Sequence, residues 1–265
     1  MTTSRRWSAA ADLVPVPAGR RRRPELIALP PEELPSVSTL FTFMRDAETR
    51  FDTLRMRIEE RTITATGEHH VISDVVLRHP DAARVTTSVP GGAARGTYEV
   101  WVSDGETVRT YSGTHRLGTE RSVRRAVVGV FPDEDPALPG TSRVYRALTA
   151  LPMETLPETF VHPAGYCQNV LSTGACEVVG VDEIDGREAI VLECLHPRTI
   201  EMAADRPDFR IRLAVDRLDG VILRLEESMS GAVTRDARVT EYAPDAPLPP
   251  TAFDFVFPSG TTMLY

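Results

Sequence analysis

The sequence predicts an α+β fold built on one long antiparallel sheet, and two patterns carry that prediction. Apolar residues alternate with polar ones in run after run, as in Phe209, Ile211, Leu213 and Val215 against Arg210 and Arg212, the period-two signature of a strand with one buried face. The runs are joined by short turns, three of them Asp-Gly (Asp104-Gly105, Asp185-Gly186 and Asp219-Gly220), a dipeptide that accepts the positive φ of tight hairpins. Strands joined so closely pair antiparallel, because parallel pairing needs long crossovers.

Residues 1–35 are rich in Arg, Pro and Ala without a sustained period, and are expected to form a tail, flexible or laid over the surface, ahead of a single domain over 36–265. From Ser36 the spacing turns helical: Val37, Leu40, Phe41, Met44, Ala47 and Phe51 share one face, with Ser36 or Ser38 as the cap. Alternation then predicts strands near 54–59, 71–78, 83–89, 97–102 and 107–111. Residues 112–140 break the pattern and read either as a lid-like loop or as a plain surface excursion. Two short helices are expected over 142–151 and 157–171, placed to cover a sheet face. Strands resume at 176–181 and 189–194, followed by a meander over 209–242. A Pro-rich connector leads to a final aromatic strand at Phe253, Phe255 and Phe257.

A chain of 265 residues with 42% hydrophobic and 26% charged residues has the balance of a globular protein. At this size folding buries roughly 70 to 75% of the unfolded surface. The net charge of -8 argues against a nucleic-acid partner, which needs a basic footprint. No apolar run is long enough for a membrane span or a signal core, so cytoplasmic residence is expected unless a leader was trimmed or the start mis-assigned.

Cys167, Cys176 and Cys194 form no CxxC pair and have no His at zinc-ligand spacing; His69, His70 and His79 have no ligands nearby either, so no metal or other cofactor is expected. Three readings of the cysteines stay open: small buried residues, a Cys167 to Cys176 disulfide, or a reactive thiol. No nucleophile elbow, phosphate loop or zinc signature is present. The acid-base candidates are His162, His196, Asp205 and Asp216, each with a structural reading beside it, and no catalytic residue is assigned.

The order of elements, with "FDTLRMRIEE", "YEVWVSDGETVRTY", "EVVGVDEIDGREAIVLE", "VDRLDGVILRLE" and "FDFVFPSG", resembles the LolA, LppX and RseB superfamily of lipoprotein-carrier and lipid-sensing domains over residues 37–262. The resemblance implies a strongly curved antiparallel sheet, an incomplete barrel, with helices covering a concave face that holds acyl chains or another apolar ligand. Most members of that group are exported or membrane-tethered, and this chain shows no lipobox cysteine.

A cavity between sheet and helices would be lined by apolar side chains. By position the candidates are Phe41, Met44, Met56, Ile58, Trp101, Tyr111, Leu148, Phe160, Leu213 and Leu223, each of which can equally be core packing. The leading reading is thus a noncatalytic carrier or sensor for a hydrophobic small molecule or acyl chain. The alternatives are an enzyme of specialised metabolism using the same cavity, and a regulatory module meeting a protein partner through the Arg-rich tail or the 112–140 loop.

Overall fold

A computed structural model of the chain describes residues 26–91, 98–123, 147–197 and 208–264. The first helix, α1 (Val37–Arg45), starts where a cap is available: Ser36 Oγ accepts the Thr39 N–H at 3.2 Å. Its apolar stripe, Leu40, Phe43 and Met44, is buried. A 3₁₀ turn, Ala47–Thr49, leads into the sheet.

Twelve strands follow: β1 (Thr53–Thr64), β2 (Gly67–Arg78), β3 (Ala82–Ser88), β4 (Tyr98–Asp104), β5 (Thr107–Ser112), β6 (Leu117–Ser122), β7 (Ala175–Ile184), β8 (Arg187–Leu195), β9 (Phe209–Asp216), β10 (Ile222–Met229), β11 (Ala232–Pro244) and β12 (Thr262–Leu264). They form one sheet in the order β12-β6-β5-β4-β3-β2-β1-β11-β10-β9-β8-β7. Two meanders therefore run outward from a central seam, where β1 pairs antiparallel with β11. Among the described residues every strand pairing is antiparallel except that of β12 with β6. Register shifts interrupt the ladders between Arg57 and Ile58, Ile222 and Arg224, Glu227 and Ser228, and Val178 and Gly180. Such bulges add bend to a sheet that already twists, giving the strongly curved, unclosed half-barrel.

The concave face of the second half is covered by α1, α2 (Leu156–Val161) and α3 (Ala164–Asn169). The main core lies between them, with Phe43, Phe51, Phe160, Leu192, Ile211 and Leu213 essentially sealed from solvent. At the β9–β10 turn Gly220, at φ +77°, passes so close to Phe43 that an added Cβ would meet its ring and carbonyl at 3.1 Å. Outward, the sheet carries ion-pair ladders such as Arg57 between Asp74 and Glu241, both at 2.8 Å, and Arg224 with Asp236, also at 2.8 Å.

Several expected elements differ from those observed. The helix expected over 157–171 breaks into α2 and α3 at His162-Pro163, since proline has no N–H to continue the ladder. Residues 147–151, expected to end a helix, are non-helical; 142–146 lie outside the described residues. The stretch expected as a loop contains β6, whose pattern of Gly118, Thr119 and Glu120 carries little hydrophobic alternation.

The aromatic run 253–257 is not a strand. Turns close it off, with the Ala252 N–H bonded to Pro249 O and the Asp254 N–H to Thr251 O. Its rings form a strap on the convex face instead. Phe253 packs with Ala82 and Val102, Phe255 lies 6.2 Å from the Tyr111 ring, and Phe257 abuts Gly118, where an added Cβ would meet it at 2.6 Å. Of the expected tail, residues 26–35 lie along the domain: Leu29 is in the core, Arg50 donates to Ile27 O, and Arg217 donates to Pro30 O and Pro31 O.

Candidate ligand-binding cavity

Between the concave face of β2–β6 and the segment 152–157 lies a cavity of about 560 Å³, within the roughly 300 to 1,000 Å³ typical of small-molecule sites. Register explains its lining. Val85, Trp101, Thr110 and Thr119 stand opposite one another across β3 to β6, and Thr87, Glu99, Ser112 and Leu117 form the next row inward. Val71 and Glu60 border it toward β1, Leu264 at the sheet edge, and Pro152, Leu156 and Pro157 on the far wall.

Arg235 reaches the cavity from β11 and is neutralised by Glu60 at 2.6 Å and Glu227 at 3.7 Å. Burial works against the Arg235 charge, while Glu60 and Glu227 hold its pKa above the ordinary value. Behind this pair the Tyr166 phenol is buried without a hydrogen-bond partner among the described residues, and burial pushes its pKa well up.

The far wall is held locally and from behind. Thr155 caps α2, its hydroxyl donating to Pro152 O at 2.6 Å, and Glu158 accepts the Glu154 N–H at 2.6 Å. Behind it sits a buried polar latch. Glu48 accepts the Leu148 N–H at 2.8 Å and faces His162 Nδ1 at 3.1 Å. The opposite nitrogen, His162 Nε2, donates to Thr149 O at 2.9 Å. Thr149 Oγ1 accepts the Asp81 N–H at 2.9 Å and bonds His79 Nδ1 at 2.7 Å. Since Nε2 must carry a hydrogen to meet a carbonyl, the Glu48 to His162 approach attracts only with a further proton between them. It is close but not aligned as a hydrogen bond. The His79 ring stacks on Phe51 at 5.5 Å, and burial lowers its pKa against the pull of Glu48.

Of the ten side chains expected in the cavity, Trp101 lies on its wall. Tyr111 borders it as well, with its ring against Phe255 on the other face of the sheet. Met44, Met56, Ile58, Phe160, Leu213 and Leu223 belong to the closed core, and Phe41 packs against that core. Leu148 serves the latch through its backbone, donating to Glu48 and accepting from Asp81. The hydroxyl rows and Glu60, Glu99, Glu154 and Arg235 were missed, because sequence reasoning sought apolar positions alone. The signal available was the run of Thr and Ser on the inward positions of 73–119.

Among the described residues the acid-base candidates are not brought together. His162 is in the latch, His196 is exposed at the end of β8, and Asp216 is buried, taking two hydrogen bonds from Arg187 at 2.6 and 3.1 Å. Asp205 lies outside the described residues. Near Asp216, Asp219 is raised in pKa by burial and by Asp216, and accepts the Tyr242 hydroxyl at 3.0 Å.

All three cysteines are free. Cys176 stands directly opposite Cys194 across β7 and β8, whereas Cys167 donates toward the Met44 sulfur at 3.8 Å, and burial pushes the Cys167 thiol up to about 12. Among the described residues no helix is long and apolar enough to cross a membrane.

No family model and no curated protein matches the chain. Solved structures do. The MucA/MucB complex of Pseudomonas aeruginosa is similar at 17% identity over 83% of this chain and 60% of that one, with a TM-score of 0.45, so the chain spans less than two thirds of MucB. The Mycobacterium tuberculosis lipoprotein LppX is similar at 9% identity over 81% and 99%, with a TM-score of 0.40. A LolA superfamily protein from Nitrosomonas europaea is similar at 10% identity over 84% and 99%, with a TM-score of 0.34. These fall in the LolA, LppX and RseB-like group that the sequence resembles. The expectation of cytoplasmic residence is corrected, since the similar proteins include a lipoprotein and a LolA superfamily protein.

Proposed function

We propose that the protein is a noncatalytic carrier or sensor that holds a hydrophobic small molecule or acyl chain in the cavity between β2–β6 and the segment 152–157. The observation that carries this reading is the cavity itself: space of ligand size, walled by Val71, Val85, Trp101, Leu117 and Leu156, on a face that a folding core would otherwise fill. Each methylene moved from water onto such walls stabilises the complex by about 0.8 kcal/mol. Trp101 and Leu156 face the chain from opposite sides. The sequence resemblance to lipid carriers points the same way.

The test is thermal unfolding of the purified protein with and without single-chain ligands of 12 to 18 carbons. Ligand at a hundred times its Kd stabilises by about 2.7 kcal/mol, which for a domain of this size raises Tm by roughly 5 to 10 °C. No shift across acids, alcohols, amines and phospholipids would overturn the reading.

A further inference from the structure

We infer that the ligand of this cavity is a single-chain amphiphile with a protonated amine head, seated between Glu99 and Glu154 beside Trp101. The inference rests on the carrier reading above and adds the chemistry of the head group.

The charges of the cavity decide its sign. Four ionisable side chains line it as cations or anions: Glu60, Glu99, Glu154 and Arg235. Arg235 is already matched by Glu60 and Glu227. Glu99, on the inward row of β4, and Glu154, on the facing wall, are exposed, and neither carboxylate has an ion-pair partner among the described residues. Among the described residues that line the cavity, an anionic head would therefore meet two uncompensated carboxylates and no unpaired cation. An ammonium would meet two partners in a site partly removed from water, where such attractions are stronger than in bulk.

Two further observations favour a cation with N–H donors. Ser112 lies directly opposite Glu99 across β4 and β5, and its hydroxyl oxygen is buried without a partner among the described residues, an acceptor beside the acceptors of Glu99. Trp101, the best aromatic face for a cation, also stands in the lining. The rings of Phe43, Phe253, Phe255 and Tyr242 each carry an arginine, whereas among the described residues none is placed over Trp101. An ammonium at this point would satisfy both carboxylates, the stranded hydroxyl and the open ring, with its alkyl chain running along Val85 and Leu156.

The experiment compares dodecylamine, dodecanol and dodecanoate at pH 7, below their micellar concentrations, by calorimetric titration of the full chain. The amine is expected to bind at least tenfold more tightly than dodecanoate, with dodecanol between them. The double variant Glu99→Gln/Glu154→Gln is expected to bring the amine down to the level of dodecanol. Glu177→Gln/Glu183→Gln, the same charge change on exposed positions of β7, should leave the preference intact and so separates the site from the general attraction of an acidic protein. Because the chain contains no lysine, carbodiimide coupling of dodecylamine should give amide adducts mapped by peptide mass spectrometry to Glu99 or Glu154. Equal or tighter binding of dodecanoate, or an amine preference that survives the Glu99/Glu154 variant, would overturn the head-group inference alone. Failure of all three ligands to bind would overturn the carrier reading with it.

Discussion

On β8, β9 and β10 the inward positions are Ile190, Leu192, Ile211, Leu213 and Leu225, each at most 1% exposed, and helices close over them. On β4, β5 and β6 the inward positions are Glu99, Trp101, Thr110, Ser112 and Thr119, and the cavity lies over them. The convex faces are reversed. The second half turns Arg212 and Arg224 outward into ion-pair ladders with Glu193 and Asp236, while the first half turns Val100, Val102 and Tyr111 outward, with the Phe253 to Phe257 strap packed over Val102 and Tyr111. One pleated sheet thus buries its concave face at one end and its convex face at the other. The difference teaches how a sheet can leave space inside without losing a core: the first half draws its apolar burial from the strap, so its inner face is released for hydroxyls, carboxylates and empty volume.

The latch joins these two regimes, tying the cavity wall to the 3₁₀ turn after α1, and its disruption should have the largest effect. Glu48→Ala leaves the buried Leu148 N–H without its acceptor and His162 without the carboxylate it faces, and removing one partner of a buried pair typically costs about 3 to 5 kcal/mol. Urea unfolding should show that loss. A change under about 1 kcal/mol would mean that the wall is not held from behind.

The comparison itself is tested by a matched pair of truncations. Leu213→Ala in the dry half should cost about 2 to 5 kcal/mol, whereas Thr110→Ala on the cavity row, which gives up the 2.6 Å hydrogen bond to Thr119, should cost about 0.5 to 1.5 kcal/mol. Similar costs from both, read as denaturation midpoints at unchanged slope, would erase the distinction between core and cavity. Next in size is the strap. Gly118→Leu forces a side chain into the place of Phe257, and overpacking of this kind costs about 1 to 3 kcal/mol. Limited proteolysis should then cut residues 246–264 faster than in the parent protein; unchanged cutting would show that the strap does not depend on that contact.

The dry half was legible in the sequence because burial on one face of a strand writes itself as alternation. Phe209, Ile211, Leu213 and Val215 declare both the strand and the inward face, and Asp219-Gly220 declares the turn. The open half was legible only as strands. There the inward face carries Thr, Ser and Glu, so the apolar alternation of Val100 and Val102 marks the outer face, and Tyr111, which borders the cavity, sets its ring against Phe255 of the strap. The aromatic spacing of 253–257 likewise reads as a strand by period two, although its partner is a sheet face and not a sheet edge. The latch was invisible for another reason: Glu48, His79, Thr149 and His162 are far apart in sequence, and only the closing of α1 and α2 over the sheet assembles them.

The smallest effect concerns pH, and its sign follows from His79. Burial disfavours its charged form, Glu48 and Asp52 oppose that less strongly, and His162 adds to it, so its folded pKa lies below the ordinary 6.5. The unfolded chain takes up a proton near 6.5 that the folded site resists. His79 therefore leaves stability undiminished above pH 6.5 and removes some as pH falls from 6.5 toward its lower folded value. Asp219 has the opposite sign: its raised pKa lets the folded state hold a proton more readily than the unfolded chain, so it adds stability in more acidic solution. Urea midpoints at pH 7.5 and 5.5 should differ in the parent protein, lower at 5.5, and the gap should narrow in His79→Asn, which keeps a polar partner for Thr149 without titrating. A gap of the same size in that variant would move the pH dependence away from the latch, to groups unconnected with the wall of the cavity.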